Sequence, residues 1–380
     1  MTDSHIMNQA YVDDARMCAT AAAEYVPEAR FCVFPGDFVE TGTNRNSEWE
    51  WERWFDEALR PVIQQMPIVP TDGNHDDSEN LNYTYHFNTD NQFKENAHVK
   101  PQFDGTTYSF MYGDVLFMVY SLQDYWKGPY SLSTLTSTYL TNDVGNWFRD
   151  QVKAHPEAKW RIALVHKNIF SGSSHQEDEE TPLFRATMLP IIKECEIDLM
   201  LQGHDHCYEV IGPVNPDTQK PIKEAIEDLE PTVLSASRNK GGTFTVNNGT
   251  LYFIGATCGS KRYNPNSKTV MEADFDKHKV ENYYDLFTGM FCQPGAPSYS
   301  TFTVDGNKIT VNSYKVPKGK SPELFNTFYI KRTKDHSSQK SGKKNALKIM
   351  QNGLVYIIHD NITYNSIGQI VSNGKIADNR

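Results

Sequence analysis

The chain has 380 residues, of which 38% are apolar, 12% aromatic and 22% charged, enough for a large core, which excludes a globally disordered chain. Its formal net charge of −11 argues against a general nucleic-acid binder, whose affinity comes mostly from cations set against phosphates. No apolar run approaches the ~20 residues of a membrane-spanning helix, and six widely spaced cysteines without a C-x-x-C exclude a disulfide scaffold and argue against a zinc ribbon.

Residues 9–26 are predicted to be helical, because Val12, Ala15, Ala19, Ala22 and Val26 recur at helical spacing and Pro27 stops the run. A short strand at 31–34 ends at Pro35-Gly36. A second helix spans 48–60 with Trp51, Trp54, Phe55, Ala58 and Leu59 on one face, a spacing that favours core over a sugar-stacking platform. Residues 67–70 read as a strand, 108–112 and 115–122 as a hairpin, 143–154 as a helix, 161–165 as a strand, 183–194 as a helix and 197–201 as a strand. From about residue 230 the pattern turns β-rich, with strands at 250–255, 298–304 and 308–314. This alternation predicts a layered α/β domain over 1–315.

Residues 316–345 are polar and rich in Lys, Ser and Gly, and read as a basic linker. In 346–380 the turn signals Asn352-Gly353, Asp360-Asn361 and Asn373-Gly374 punctuate apolar runs at 354–358 and 362–371, which predicts a small β-meander. Pairing of Cys258 with Cys292 is left open.

Four apolar runs end in residue types that ligate metals. They lead to Gly36-Asp37, to Gly73-Asn74-His75-Asp76, to His166 and to Gly203-His204-Asp205-His206. Ligands of open α/β sheets bind at the carboxyl ends of strands, so these groups are expected to converge on one rim. The amide of Asn74 ligates without adding charge, and imidazole and carboxylate donors without thiolate suit Mn, Fe or Zn.

The opening Asp3-Ser4-His5 adds a fifth element. In chain order, D-x-H, G-D, G-N-H-[DE], a lone His and G-H-x-H resemble the signature of the calcineurin-like metallophosphoesterases over about residues 1–260. Residues 36–40, the Trp-rich helix, 67–70 and 251–255 are also similar to secreted bacterial members related to purple acid phosphatases. The resemblance implies a four-layer α/β/β/α sandwich of two mixed sheets, here with a small C-terminal β appendage. It implies a first metal held by Asp3, His5 and His206, a second held by Asn74, His166 and His204, and Asp37 bridging both. His75 would face the leaving group, with Asp76 orienting it.

The implied cofactors are two divalent or trivalent ions. The implied reaction is attack of metal-bound hydroxide on a small-molecule phosphate ester, with His75 as general acid. The alternatives are a phosphodiesterase or nucleotidase of the same fold, or a metal-binding cell-surface protein without turnover. The loops 77–107, 123–142 and 171–182 are expected to set the substrate.

Two positions depart from the purple acid phosphatase pattern. Its Tyr ligand is Glu40 here, and its D-x-G is D-x-H, so an iron–tyrosinate chromophore is not expected. Glu40 reads as a solvated residue opening a helix, with a place behind the metal ligands as the alternative; the run Glu177–Glu180 reads as a solvated loop, with an acidic lid as the alternative; and a substrate-phosphate role for Arg185 is not favoured. Only Met1-Thr2 precede Asp3, too few for a supporting strand, so the natural protein is expected to begin upstream of Met1. An extracytoplasmic location is expected from the resemblance to secreted members, and the last 35 residues are similar to export or sorting tails of some Gram-negative bacteria.

Overall fold

Short apolar runs bounded by Gly, Pro and Asn build the strands of this chain. The computed structural model describes residues 1–42, 47–76, 82–89, 105–122, 135–273 and 275–336, and four strands between 347 and 373. The predicted rim loops 77–107 and 123–142 fall largely outside the described residues. In chain order the strands are β1 (Cys32–Phe34), β2 (Ile68–Pro70), β3 (Tyr108–Tyr112), β4 (Val115–Val119), β5 (Trp160–Leu164), β6 (Leu199–Gln202), β7 (Tyr208–Asn215) and β8 (Lys220–Pro221). Then come β9 (Ile226–Pro231), β10 (Asn239–Thr245), β11 (Thr250–Gly255), β12 (Phe291–Cys292), β13 (Ser298–Asp305), β14 (Lys308–Lys315) and β15 (Glu323–Lys331).

The large sheet runs β12-β7-β11-β6-β5-β4-β3, with β8 added on β7. Its centre, β4-β5-β6-β11, is parallel, and the flanking pairs are antiparallel. A second sheet runs β13-β14-β15-β10-β9, and β1 pairs β2 in parallel as a third.

Side chains alternate across the large sheet with the two-residue period of a strand. On one face, Leu116, Met118, Ala163, Met200 and Tyr252 pack with Trp147 and Phe148 of the helix Gly145–Ala154 and with Phe184, Met188 and Ile192 of the helix Glu180–Glu194. On the other, Phe117, Val119, Ile162, Leu164 and Leu201 meet Ile309, Val311, Phe328 and Ile330 of the second sheet. The outer layer is the helix Gln9–Tyr25, capped by the Asn8 side chain, together with the helical run from Glu48 to Ile63. These helices close over Phe34 and Phe38, so the layers stack as α/β/β/α. Trp51 and Trp54 are fully buried in this outer core and offer no sugar platform.

The predicted linker contains a strand. β15 lies within 316–345 and pairs antiparallel with β14 and parallel with β10. Its inward positions Asn326, Phe328 and Ile330 are buried, while the basic composition around them masked that period. Beyond it, Arg332 and His336 both bond the buried Asp198 carboxylate at the start of β6. The larger unit thus runs Met1–His336, and Ser337–Arg380 forms a separate one.

That second unit is an antiparallel meander, Leu347–Gln351, Leu354–His359, Ile362–Asn365 and Ile370–Asn373: the run predicted at 362–371 is two strands, and Leu347–Gln351 adds a further one. Its turn residues at 352–353, 360–361 and 374 lie outside the described residues. Cys258 and Cys292 are free thiols in different cores. No helix among the described residues is long and apolar enough to cross a membrane.

Phe328→Ala should cost about 3–5 kcal/mol by opening a cavity between the two sheets. Removal of residues beyond 345 should leave the unfolding midpoint of the larger unit unchanged. Urea denaturation followed by tryptophan fluorescence checks both.

Candidate metal centre

The candidate ligands stand at the carboxyl ends of β1, β2, β5 and β6 and on the first residues of the chain. Residues 1–6 run beside the exit of β1. The Asp3 N–H donates to Gly36 O at 3.1 Å, and the His5 N–H donates to Asp37 O at 3.1 Å. On the other flank Cys258 N–H donates to Thr2 O at 2.9 Å and the Thr257 hydroxyl to Asp3 O at 2.6 Å. Asp3 and His5 are therefore held from both sides by the loops after β1 and β11.

Among the described residues four overlapping groups of possible ligand atoms form there, two of them at the edge, His5–Glu40–His75 and His175–Asp178–His204, and two that share Asp37. Those of Asp3, His5, Asp37 and His206 lie within 4.8 Å of one another, as do those of Asp37, His166 and His204. Asp37 belongs to both: its Oδ2 is 3.2 Å from His5 Nε2 and 3.1 Å from His166 Nε2. Asn74 Oδ1 joins the second group, 3.1 Å from His166 Nε2. His206 Nε2 lies 3.2 Å from Asp3 Oδ1 and 2.9 Å from His5 Nε2.

The tautomers decide what these nitrogens offer. His166 Nδ1 donates to Pro35 O at 2.7 Å, and His5 Nδ1 donates to Glu40 Oε2 at 2.6 Å. A carbonyl or carboxylate can only accept, so Nδ1 carries the proton and Nε2 of the neutral ring turns a lone pair inward. Metal-ligating imidazoles are held in this way. Asp37 Oδ2 is buried without a hydrogen-bond donor. Converging lone pairs and a bare carboxylate oxygen fit cations, and the imidazole, carboxylate and amide set without thiolate fits Mn, Fe or Zn.

The backbone is bent to bring these groups in. Asp3, His5, Asp37, His204 and His206 have φ of 55°, 46°, 53°, 73° and 47°. Left-handed backbone costs a side-chain-bearing residue about 1–2 kcal/mol, and such strain gathers at functional sites. A Cβ on Gly73 would run into Asp37 Oδ1, and one on Gly203 would stand 2.6 Å from Thr2 Oγ1.

Burial disfavours the charges of Asp3 and Asp37, yet the surrounding imidazoles hold both carboxyls well below the usual carboxylate range. Burial also opposes the charge on His166, but Asp37 lifts it to about 9. His204 goes the other way: burial, then His175, His166 and Lys167, push it well below the ordinary histidine value.

His75 sits at the edge of the cluster with 29% of its side chain exposed. Its N–H donates to Asp37 Oδ1 at 2.9 Å and its Nδ1 to Glu40 O at 2.7 Å. Asp76 does not orient it. The Asp76 carboxylate instead accepts from the N–H groups of Asp37, Phe38, Val39 and Gly73 at 2.7–3.2 Å, which ties the exit of β1 to that of β2. Glu40 is not a solvated helix start either. Its side chain is 20% exposed and joins His5 to Lys261, whose Nζ is 3.3 Å from both Glu40 oxygens. Burial opposes the Glu40 charge, but His5, His75 and Lys261 draw its carboxyl down to about 2.

The acidic run is not a plain solvated loop. Glu180 is buried against Lys167 Nζ at 2.8 Å, and Asp178 Oδ2 accepts from His175 Nδ1 at 2.8 Å. The His175 ring stacks on His204 at 3.6 Å, and Tyr263 lies parallel over His206 at 4.4 Å. Neither His175 nor Tyr263 belongs to a motif, so sequence reading passed over both. Arg185 is buried and donates to Ile169 O and His278 O, a structural role.

Comparison with known proteins agrees with this geometry. The calcineurin-like phosphoesterase family matches residues 2–208. An uncharacterized protein of Mycobacterium tuberculosis is 23% identical over 202 residues, 50% of this chain and 37% of the relative. Purple acid phosphatase 3 of Arabidopsis thaliana is 39% identical over 82 residues, 22% of this chain and 21% of the plant protein. The matched regions thus span well under two thirds of these relatives. Among solved structures, a purple acid phosphatase from yellow lupin (Lupinus luteus) seeds shares the fold at a TM-score of 0.51 and 13% identity, covering 84% of this chain and 49% of the lupin chain. GAP50, the anchor in the inner membrane complex of Plasmodium, does so at 0.51 and 13%, covering 91% of each chain. With more than half of its length matched by the family, the chain belongs to the calcineurin-like phosphoesterases.

Proposed function

We propose that this chain is a dinuclear metal-dependent hydrolase of small-molecule phosphate esters. The observation that carries the reading is the Asp37 carboxylate, one oxygen of which stands about equally far from an imidazole of each ligand group. Asp3, His5 and His206 would hold one ion with Asp37, and Asn74, His166 and His204 the other. Bound there, two ions such as Mn, Fe or Zn neutralise phosphoryl oxygens and lower the pKa of water towards neutrality.

The residues set the electrostatics around that pair. Asp3 and Asp37 are the two carboxylates of the ligand set, and Asn74 adds none, so against two divalent ions the site keeps net positive charge for an anionic ester. His75 handles the leaving group. Its Nδ1 proton is committed to the Glu40 carbonyl, so Nε2 is the nitrogen that takes up and releases a proton. A protonated Nε2 donates to the departing oxygen as the ester bond breaks. The fixed Nδ1–H also sets the ring's orientation. The choice between monoester, diester and nucleotide is assigned to the rim loops.

Asp37→Ala should bind fewer than two metals per chain by elemental analysis, against two for the natural sequence, because it removes a ligand of both groups and the anion between two cations. Retention of both ions would remove the bridging role.

His75→Ala should keep both metals and lose ~10²–10⁴-fold in kcat on an alkyl phosphate, the usual contribution of general acid catalysis. The loss should be far smaller on a nitrophenyl ester, whose leaving group needs no proton. His166→Ala should weaken metal binding and damage both substrates alike. Measuring kcat on both esters at saturating metal checks this, and equal losses for His75→Ala would leave it only a phosphate-positioning role. Metal bound without turnover on either ester would favour a binding protein.

A further inference from the structure

We propose that Glu40, clamped by Lys261, is a positioning residue for His5, and that together they set the metal affinity of the Asp3–His5–Asp37–His206 group. This rests on the dinuclear reading above.

Three contacts single Glu40 out. Its Oε2 accepts from His5 Nδ1 at 2.6 Å, short for a nitrogen donor. Its two oxygens stand 3.3 Å from Lys261 Nζ, which comes from the loop after β11. Its backbone is held by Glu50, whose Oε2 accepts the Glu40 N–H at 3.1 Å. Glu40 is thus fixed by its main chain on one side and its carboxylate on the other, with the imidazole of His5 between it and the cluster.

The chemistry follows from the hydrogen bond. With Nδ1–H given to a carboxylate, the other neutral tautomer is excluded, so Nε2 is the nitrogen that faces Asp37 and His206 and, in the neutral ring, presents its lone pair there. An anionic acceptor also makes Nε2 a stronger donor to a cation. His5 has φ of 46°, so its backbone does not relax freely if the side chain loses this anchor. Glu40 reaches the other nearby imidazole differently. His75 Nδ1 is taken by the Glu40 carbonyl at 2.7 Å and stands 3.8 Å from Oε1. The main chain of Glu40 therefore serves His75, and its carboxylate serves His5.

The test is calorimetric titration of the metal-free full chain with Mn2+, comparing Glu40→Gln, Glu40→Asp and Lys261→Met. Glu40→Gln should weaken one of two sites by roughly 10–100-fold, the usual effect of removing such an outer partner. Glu40→Asp keeps the charge but withdraws it by one methylene, and should fall between Gln and the natural residue. Lys261→Met frees the carboxylate to swing toward solvent and should weaken the same site by less. If Glu40→Gln fails to fold by circular dichroism, the other two variants carry the comparison.

At saturating Mn2+, Glu40→Gln should keep the natural ratio of alkyl to nitrophenyl ester turnover. Unchanged Mn2+ affinity in the Glu40 variants would overturn the proposal. So would unchanged affinity combined with a His75→Ala-like loss confined to the alkyl ester, which would assign the carboxylate to His75. A natural chain that binds fewer than two ions would instead defeat the dinuclear reading, so the two failures are distinct.

Discussion

Two carboxylates, Asp3 and Asp37, are buried where water cannot solvate them, and much of the architecture around them answers that charge. An unpaired buried charge costs several kcal/mol. Each carboxylate is accordingly met by imidazoles and by backbone N–H groups: His204 N–H on Asp3 Oδ1 at 3.1 Å and His75 N–H on Asp37 Oδ1 at 2.9 Å. These donors come from different strand ends, so the charges pull the carboxyl ends of β1, β2, β5 and β6 onto one point. Asp37 Oδ2 is buried with the Nε2 atoms of His5 and His166 3.2 and 3.1 Å away, a position that also fits a cation.

The same demand explains the backbone. Side chains reach the point only because five candidate ligand residues accept left-handed φ values and because Gly73 and Gly203 leave room where a methyl would collide. That strain is opposed by a rigid surround, in which Asp76 binds four N–H groups across two loops and the four layers bury the strands behind them. Around the ligands stands a ring of partners, Glu40 with Lys261, His175 with Asp178, and Tyr263, each touching an imidazole rather than the shared oxygen. Of these, Glu40 bonds a ring nitrogen of His5, while His175 and Tyr263 stack on the faces of His204 and His206.

Much of this was legible in the residues. The helix over 9–26, the Trp-bearing helix and the short strands followed from period and punctuation, since burial on one face imposes a repeat that survives in a single sequence. The candidate ligands at 37, 74, 166, 204 and 206 were legible because each lies within a few positions of the end of an apolar run, and strand ends are where an α/β sheet exposes such residues. β15 was missed because its inward positions, Asn326, Phe328 and Ile330, begin with a polar residue and sit in a lysine-rich stretch. Cross-strand pairing decided it as a strand.

By itself the sequence determined which residue types stand at which strand ends, hence the donor set and the absence of thiolate, because that information is local to each turn. Tertiary structure alone decided who serves whom. Glu40 and His5 are 35 positions apart, and Lys261 is 221 positions beyond Glu40, yet they make one chain of contacts. Asp76 directly follows His75 and looks like its partner, but its carboxylate turns to four N–H groups, and the carbonyl of Glu40 holds the ring. Hydrogen bonds are short and directional, so partnership depends on positions good to a few tenths of an ångström, which only the packed layers specify.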